Sequence, residues 1–101
     1  MTNRMRSSAP GVVFCILAGC VTSEEFARRN GEFDHGPDVR IVYFKAPIEA
    51  VRWKCHNQRA LACAAYSYDP KGVCFIYHAP NTSETTLEHE RLHCRFGRWH
   101  S

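Results

Sequence analysis

The chain has 101 residues, 13 Lys and Arg against 10 Asp and Glu, a formal charge of +3, and 45% hydrophobic residues. That length fits one small domain, and its apolar run is too short for the roughly 20 residues that span a bilayer. The mild positive charge excludes the strong basic field by which a protein gathers nucleic acid.

Taken in chain order, the first signal is an acid-free start carrying Arg4 and Arg6, then an apolar run from Gly11 to Gly19 that ends at Cys20. A basic n-region, a short h-region and small residues before a cleavage point describe a signal peptide over residues 1–19. Leu17-Ala18-Gly19-Cys20 resembles the lipobox of bacterial lipoproteins. The resemblance implies cleavage before Cys20 and a thioether-linked diacylglycerol on its sulfur, so that Cys20 is the lipidation site and the membrane is a partner through that anchor. It also implies residence in the bacterial cell envelope. Val21, in place of an aspartate, points to the outer membrane, facing the periplasm. The competing reading of this segment is an ordinary secretory signal or a buried N-terminal strand. Removing nineteen residues leaves 82, with 11 basic against 10 acidic side chains, so part of the +3 belongs to the export signal.

Residues 20–38 read as the lipidated cysteine and a flexible tether, polar and broken by Asn30-Gly31 and Gly36-Pro37, with His35 solvated. Residues 39–101 form the domain. Arg40 to Phe44 is β-branched and aromatic and predicts a strand. Pro47 suits a first helical position, and a helix to about Asn57 places Ile48, Val51 and Cys55 on one face. Leu61 to Tyr68 is alanine-rich, yet the turn residues Asp69-Pro70-Lys71-Gly72 before Val73 to Tyr77 suggest a hairpin. A loop from His78 to Glu84 leads to a helix over Thr86 to Arg95, with Thr85 and Glu88 as a capping box and Gly97 as a left-handed stop. Leu87 and Cys94 on one flank, Leu92 and Phe96 on the other, give this helix its apolar contacts. Strand, helix, hairpin and helix make a small α+β domain.

Four cysteines follow Cys20: Cys55, Cys63, Cys74 and Cys94. An even number in a small exported chain implies two disulfides, and a core of this size needs them. Three connectivities are open. Proximity favours Cys55 with Cys63, and Cys74 with Cys94 would pin the last helix to the strand before it. The rival is a zinc-thiolate site, for which no C-x-x-C pair exists.

The chemistry concentrates in His89-Glu90-Arg91-Leu92-His93. Histidines four apart on a helix project from nearly the same face, so both rings can reach one metal ion. Glu90 then lies where a carboxylate can take the proton of an attacking water, which is the H-E-x-x-H arrangement of zinc hydrolases. A catalytic zinc usually takes a third protein ligand, and Cys94-Arg95-Phe96-Gly97-Arg98-Trp99-His100 follows. Over His89 to His100 the chain resembles the metzincin type of metallopeptidase, whose motif runs from the second histidine through a glycine to a third. Gly97 and His100 each fall one residue later than in that pattern, and no methionine turn is present, so the resemblance is to a minimal zincin-like protein. It implies Zn²⁺ held by His89, His93 and His100, with Glu90 as general base and a peptide or protein as substrate. His56 or His78 could replace His100.

In zincins a sheet-edge strand before the motif helix holds an extended substrate, and Val73 to Tyr77 occupies that place. The plainer role for Val73, Phe75 and Tyr77 is core packing. Tyr66, Tyr68 and Tyr77 could donate to an oxyanion, or simply pack. Arg91 and Arg98 read as exposed charges beside the motif, Trp53 and Trp99 as core or rim aromatics. The reading that follows is an envelope lipoprotein with a zinc-dependent hydrolase site. The alternative is a non-catalytic, disulfide-stabilised binding or exclusion lipoprotein with structural zinc or none. A periplasmic metal carrier is a third reading, under which Glu90 has no purpose.

Overall fold

In a computed structural model of the chain, residues 13–16, 19–68 and 71–100 are described. Most of the predicted export segment, the turn residues Asp69 and Pro70, and the side chains of Cys20 and Tyr68 lie outside that set. Within it, β1 (Val13–Ile16) pairs antiparallel with β2 (Gly19–Thr22), the backbone of residue 15 lying opposite that of residue 20. The other elements are α1 (Ser23–Asn30), β3 (Arg40–Lys45), α2 (Ile48–Cys55), β4 (Ala62–Tyr68), β5 (Lys71–His78) and α3 (Glu84–Phe96).

The expected α+β architecture is present, with a three-stranded sheet of order β3-β5-β4. β3 runs parallel to β5, with Ile41 opposite Cys74 and Tyr43 opposite Ile76. β4 runs antiparallel to β5, with Ala64 opposite Ile76 and Cys63 opposite Tyr77. The alanine-rich segment is therefore strand, because pairing with β5 outweighs the helix preference of alanine.

Side chains alternate across the sheet, so Cys74 and Ile76 face one way while Cys63 and Tyr77 face the other. The two disulfides use these two faces. Cys74–Cys94 ties α3 to the first face, and Cys55–Cys63 ties α2 to the second. The favoured pairing is thus the one observed, and no zinc-thiolate site can use these sulfurs. Cys74, Ile76 and Cys94 are fully buried, flanked by Val39, Ile41, Ala64, Tyr66 and Leu87. Val51 is the buried residue of α2.

Two expectations are corrected. Val73 to Tyr77 lies in β5, the central strand, hydrogen-bonded on both sides. Its backbone cannot pair a substrate, and the sheet edges belong to β3 and β4. Residues 20–38 are not wholly a flexible tether either: Ser23 to Asn30 is helix, with Ala27 buried against Leu92, Phe96 and Trp99. The local signals for α1 lie in its own sequence. The Thr22 hydroxyl caps the Glu25 N–H, and Glu24–Arg28 and Glu25–Arg29 are paired one turn apart.

After α1 the chain turns back over the end of α3. Gly31 permits this, because a Cβ there would stand 2.7 Å from both the Cβ and the carbonyl oxygen of Phe96. The N–H groups of Glu32 and His35 then donate to the Phe96 and Arg95 carbonyls at 2.9 and 2.8 Å. These are the carbonyls that a helix end leaves without partners. Arg95 adds ion pairs to Glu24 and Asp34, so the supposed tether clamps α3. His35 is exposed, and one face of its ring stacks on Tyr66 with ring centroids 3.9 Å apart.

Candidate metal centre

Helix α3 begins two residues earlier than its sequence suggests. Ser83, not Thr85, is the N-cap, and its hydroxyl oxygen accepts from the Thr86 N–H at 3.1 Å. The Leu92, Phe96 and Cys94 side chains bury the helix on two flanks, leaving His89 and His93 on a half-buried face between α1 and the sheet. Past Phe96, Gly97 adopts φ 74° and ψ −141°, a positive-φ conformation outside the left-handed helical region expected of a stop. Its N–H donates to the His93 carbonyl at 2.9 Å. A Cβ at Gly97 would lie 2.6 Å from the Phe33 ring, so only glycine fits the turn.

That turn returns His100 to the helix face despite the extra residue in the motif. The three Nε2 atoms form a small triangle: His89 to His93 3.2 Å, His93 to His100 2.9 Å, and His100 to His89 2.8 Å. Two ligands of a tetrahedral ion with bonds of about 2.0–2.1 Å stand about 3.3 Å apart. The observed sides are a little shorter, and the same ring atom converges from each residue. Together the three histidines can hold a metal ion.

The electrostatics favour the same conclusion. His93 Nδ1–H donates to the Gly97 carbonyl at 2.8 Å, which leaves a lone pair on its Nε2 and fixes the ring. Burial, followed by the neighbouring His93 and His100, pushes His89 down to about 4. Burial also lowers His93 against the opposing effect of the Gly97 carbonyl. Both rings are then neutral at pH 7, as ligands must be. His93 Nε2 therefore offers its lone pair at the point where the other two Nε2 atoms converge.

Trp99 walls the site. It stacks on His93 at 5.3 Å, meets His100 edge-on at 4.5 Å, and lies 5.1 Å from His89. Phe26 of α1 backs it edge-on at 6.0 Å. Its indole Nε1 is buried without a hydrogen-bond partner. The sequence marks Trp99 only as a core or rim aromatic. Its position directly before His100 is the local signal of a closer role. Glu90 is not part of the histidine cluster. It sits about 60° round the helix from His93, half-buried, and desolvation raises its carboxyl to about 7.

The other candidates lie elsewhere. His56 is the exposed C-cap of α2, with φ 54°. His78 Nδ1 donates to the Ala79 carbonyl at 2.9 Å. Neither joins the cluster. Tyr66 stacks with His35, and Tyr77 lies beneath the Lys54 ammonium. Arg91 is bound to Glu84, Glu88 and the Tyr43 hydroxyl, and Arg98 pairs with Glu32. Both arginines serve the scaffold. No family profile, curated protein or solved structure matches this chain, so its own geometry has to carry the functional argument.

Proposed function

We propose that this protein is an envelope lipoprotein with a zinc-dependent hydrolase site, acting as a metallopeptidase. The convergence of His89, His93 and His100 through the same ring nitrogen carries the reading. A three-histidine donor set without thiolate is that of catalytic zinc sites, which keep a position open, rather than of closed structural ones. His89 and His93 would hold the ion from α3, and His100 from the segment after the Gly97 turn. When bound, zinc supplies a Lewis acid for a scissile carbonyl and lowers the pKa of water to about 7.

The chain's own residues do the rest. Glu90 takes the proton of the attacking water and delivers it to the leaving amine. The Gly97 carbonyl holds His93 in the tautomer that leaves Nε2 free, and Trp99 keeps bulk water from one side of the rings. The lipobox at Leu17 to Cys20 supports a lipid anchor, testable as acyl labelling that Cys20→Ser abolishes, and Val21 after it supports the outer membrane, facing the periplasm.

One observation favours a non-catalytic binding lipoprotein with a structural metal. The strand before α3 is paired on both edges, so it offers a substrate no backbone. Metal quantification and peptide hydrolysis on oxidised protein separate the two readings. His89→Ala and His100→Ala should each lose stoichiometric zinc. Glu90→Gln should keep zinc and lose hydrolysis by at least about 100-fold, the lower range for removal of a general base. If Glu90→Gln retains full biological activity while His89→Ala destroys it, the metal is structural and the hydrolase reading fails.

A further inference from the structure

The surface away from the histidines differs from theirs in charge pairing and in exposed apolar residues. The five arginines of α1, α3 and the segment after it, Arg28, Arg29, Arg91, Arg95 and Arg98, all form ion pairs. Arg40, Lys45, Arg52, Lys54 and Arg59 form none among the described residues, although all five are exposed. A single acid, Glu49, stands between residues 40 and 61. Cationic side chains without a carboxylate partner among the described residues are thus concentrated on α2 and its surroundings, where Arg52 reaches only the Ala60 carbonyl and Lys54 only the face of the Tyr77 ring.

Two exposed apolar residues accompany them. Trp53 is 77% exposed and Leu61 is 50% exposed. With Val51 buried, the helical repeat turns Trp53 outward and sets Arg52 and Lys54 on either side of it. The loop from His56 to Leu61 is held rigid. Cys55–Cys63 closes it, the Asn57 side chain accepts from the Arg59 N–H at 2.8 Å, and Arg52 reaches the Ala60 carbonyl at 3.4 Å. That last contact draws the Leu61 end of the loop against α2.

We propose that the outer face of α2 and the disulfide-closed loop form a docking surface for an anionic lipid bilayer. Trp53 and Leu61 enter the headgroup region, and Arg52, Lys54 and Arg59 face lipid phosphates. Tryptophan favours that interfacial depth, and each basic side chain near an anionic surface strengthens attachment. The near-neutral charge of the chain after residue 19 argues against nucleic acid as the occupant. This surface acts whether or not the histidines hold zinc.

The test uses the oxidised full chain carrying Cys20→Ser, so that no lipid anchor contributes. Vesicles of equal parts phosphatidylglycerol and phosphatidylcholine should shift Trp53 emission to the blue, and brominated acyl chains should quench it. Trp53→Phe assigns the signal, since the remaining Trp99 is buried. Phosphatidylcholine alone should give little response. Arg52→Gln, Lys54→Gln and Arg59→Gln together should weaken partitioning by about 100-fold, from a loss of about fivefold per neutralised cation. Far-ultraviolet circular dichroism and disulfide mapping establish that the variants fold. An unchanged Trp53 emission, or partitioning of the triple variant equal to that of its parent, overturns the proposal. So does saturable binding to a protein or to RNA with no vesicle response.

Discussion

Helices α2 and α3 lie on opposite faces of one sheet, each fastened to it by a disulfide, and yet they present opposite kinds of surface. On the α3 side the charged groups satisfy one another. Arg91 gathers Glu84, Glu88 and the Tyr43 hydroxyl, while Arg95 gathers Glu24 and Asp34. Beside that internal pairing the three histidine Nε2 atoms converge on one another, where they can hold a metal ion. On the α2 side Arg52 and Lys54 have no ion pair among the described residues, and Trp53 stands in solvent. The covalent staple is the same device on both faces. What differs is whether the domain supplies its cations with carboxylates, as around α3, or only with a carbonyl and a ring face, as around α2.

Removing the staples separately tests the comparison most severely. The Cys74–Cys94 bridge spans 20 residues and Cys55–Cys63 spans 8. By the chain-entropy argument they stabilise by about 3 and about 2.5 kcal/mol. Replacing both Cys74 and Cys94 by alanine should therefore cost slightly more in urea unfolding. It should also weaken zinc binding, because α3 loses its covalent hold on β5. Replacing both Cys55 and Cys63 should leave zinc stoichiometry intact and abolish vesicle docking. Equal effects on zinc from both pairs would show that the two faces are not independent.

A smaller effect is expected at the start of α3. Ser83→Ala removes the capping oxygen and should cost about 1 kcal/mol, measured by the same unfolding curves. Thr85→Ala should cost less. The reverse order would mean that the helix begins where its sequence alone suggests.

The smallest effect concerns the clamp. The Arg95 guanidinium, then the Gly36 N–H, holds the Asp34 carboxyl below its ordinary range. A carboxyl depressed in the folded state contributes stability above its unfolded pKa and loses it as pH falls through the folded value. Asp34→Asn should thus lower Tm slightly at neutral pH, and the difference should vanish in acid. A difference that persists in acid would assign the effect to lost packing rather than to charge.

Features that depend on near neighbours along the chain were legible before the fold was known. The i, i+4 histidines, the parity of the cysteines and the β-branched runs gave α3, the two bridges and the strands, because helix periodicity and strand alternation are local properties. The N-cap of α1 was equally local, at Thr22, but polar composition masked it. Its buried alanine, Ala27, acquires meaning only against Leu92, Phe96 and Trp99, some 65 or more residues later. Tertiary structure alone decided strand order, and with it the central place of β5, since pairing is chosen by faces that meet across the fold. It also decided the third histidine. The motif's spacing left His100 open beside His56 and His78. Gly97 holds a positive φ where the Phe33 ring leaves no room for a Cβ, and past that turn His100 meets the other two rings.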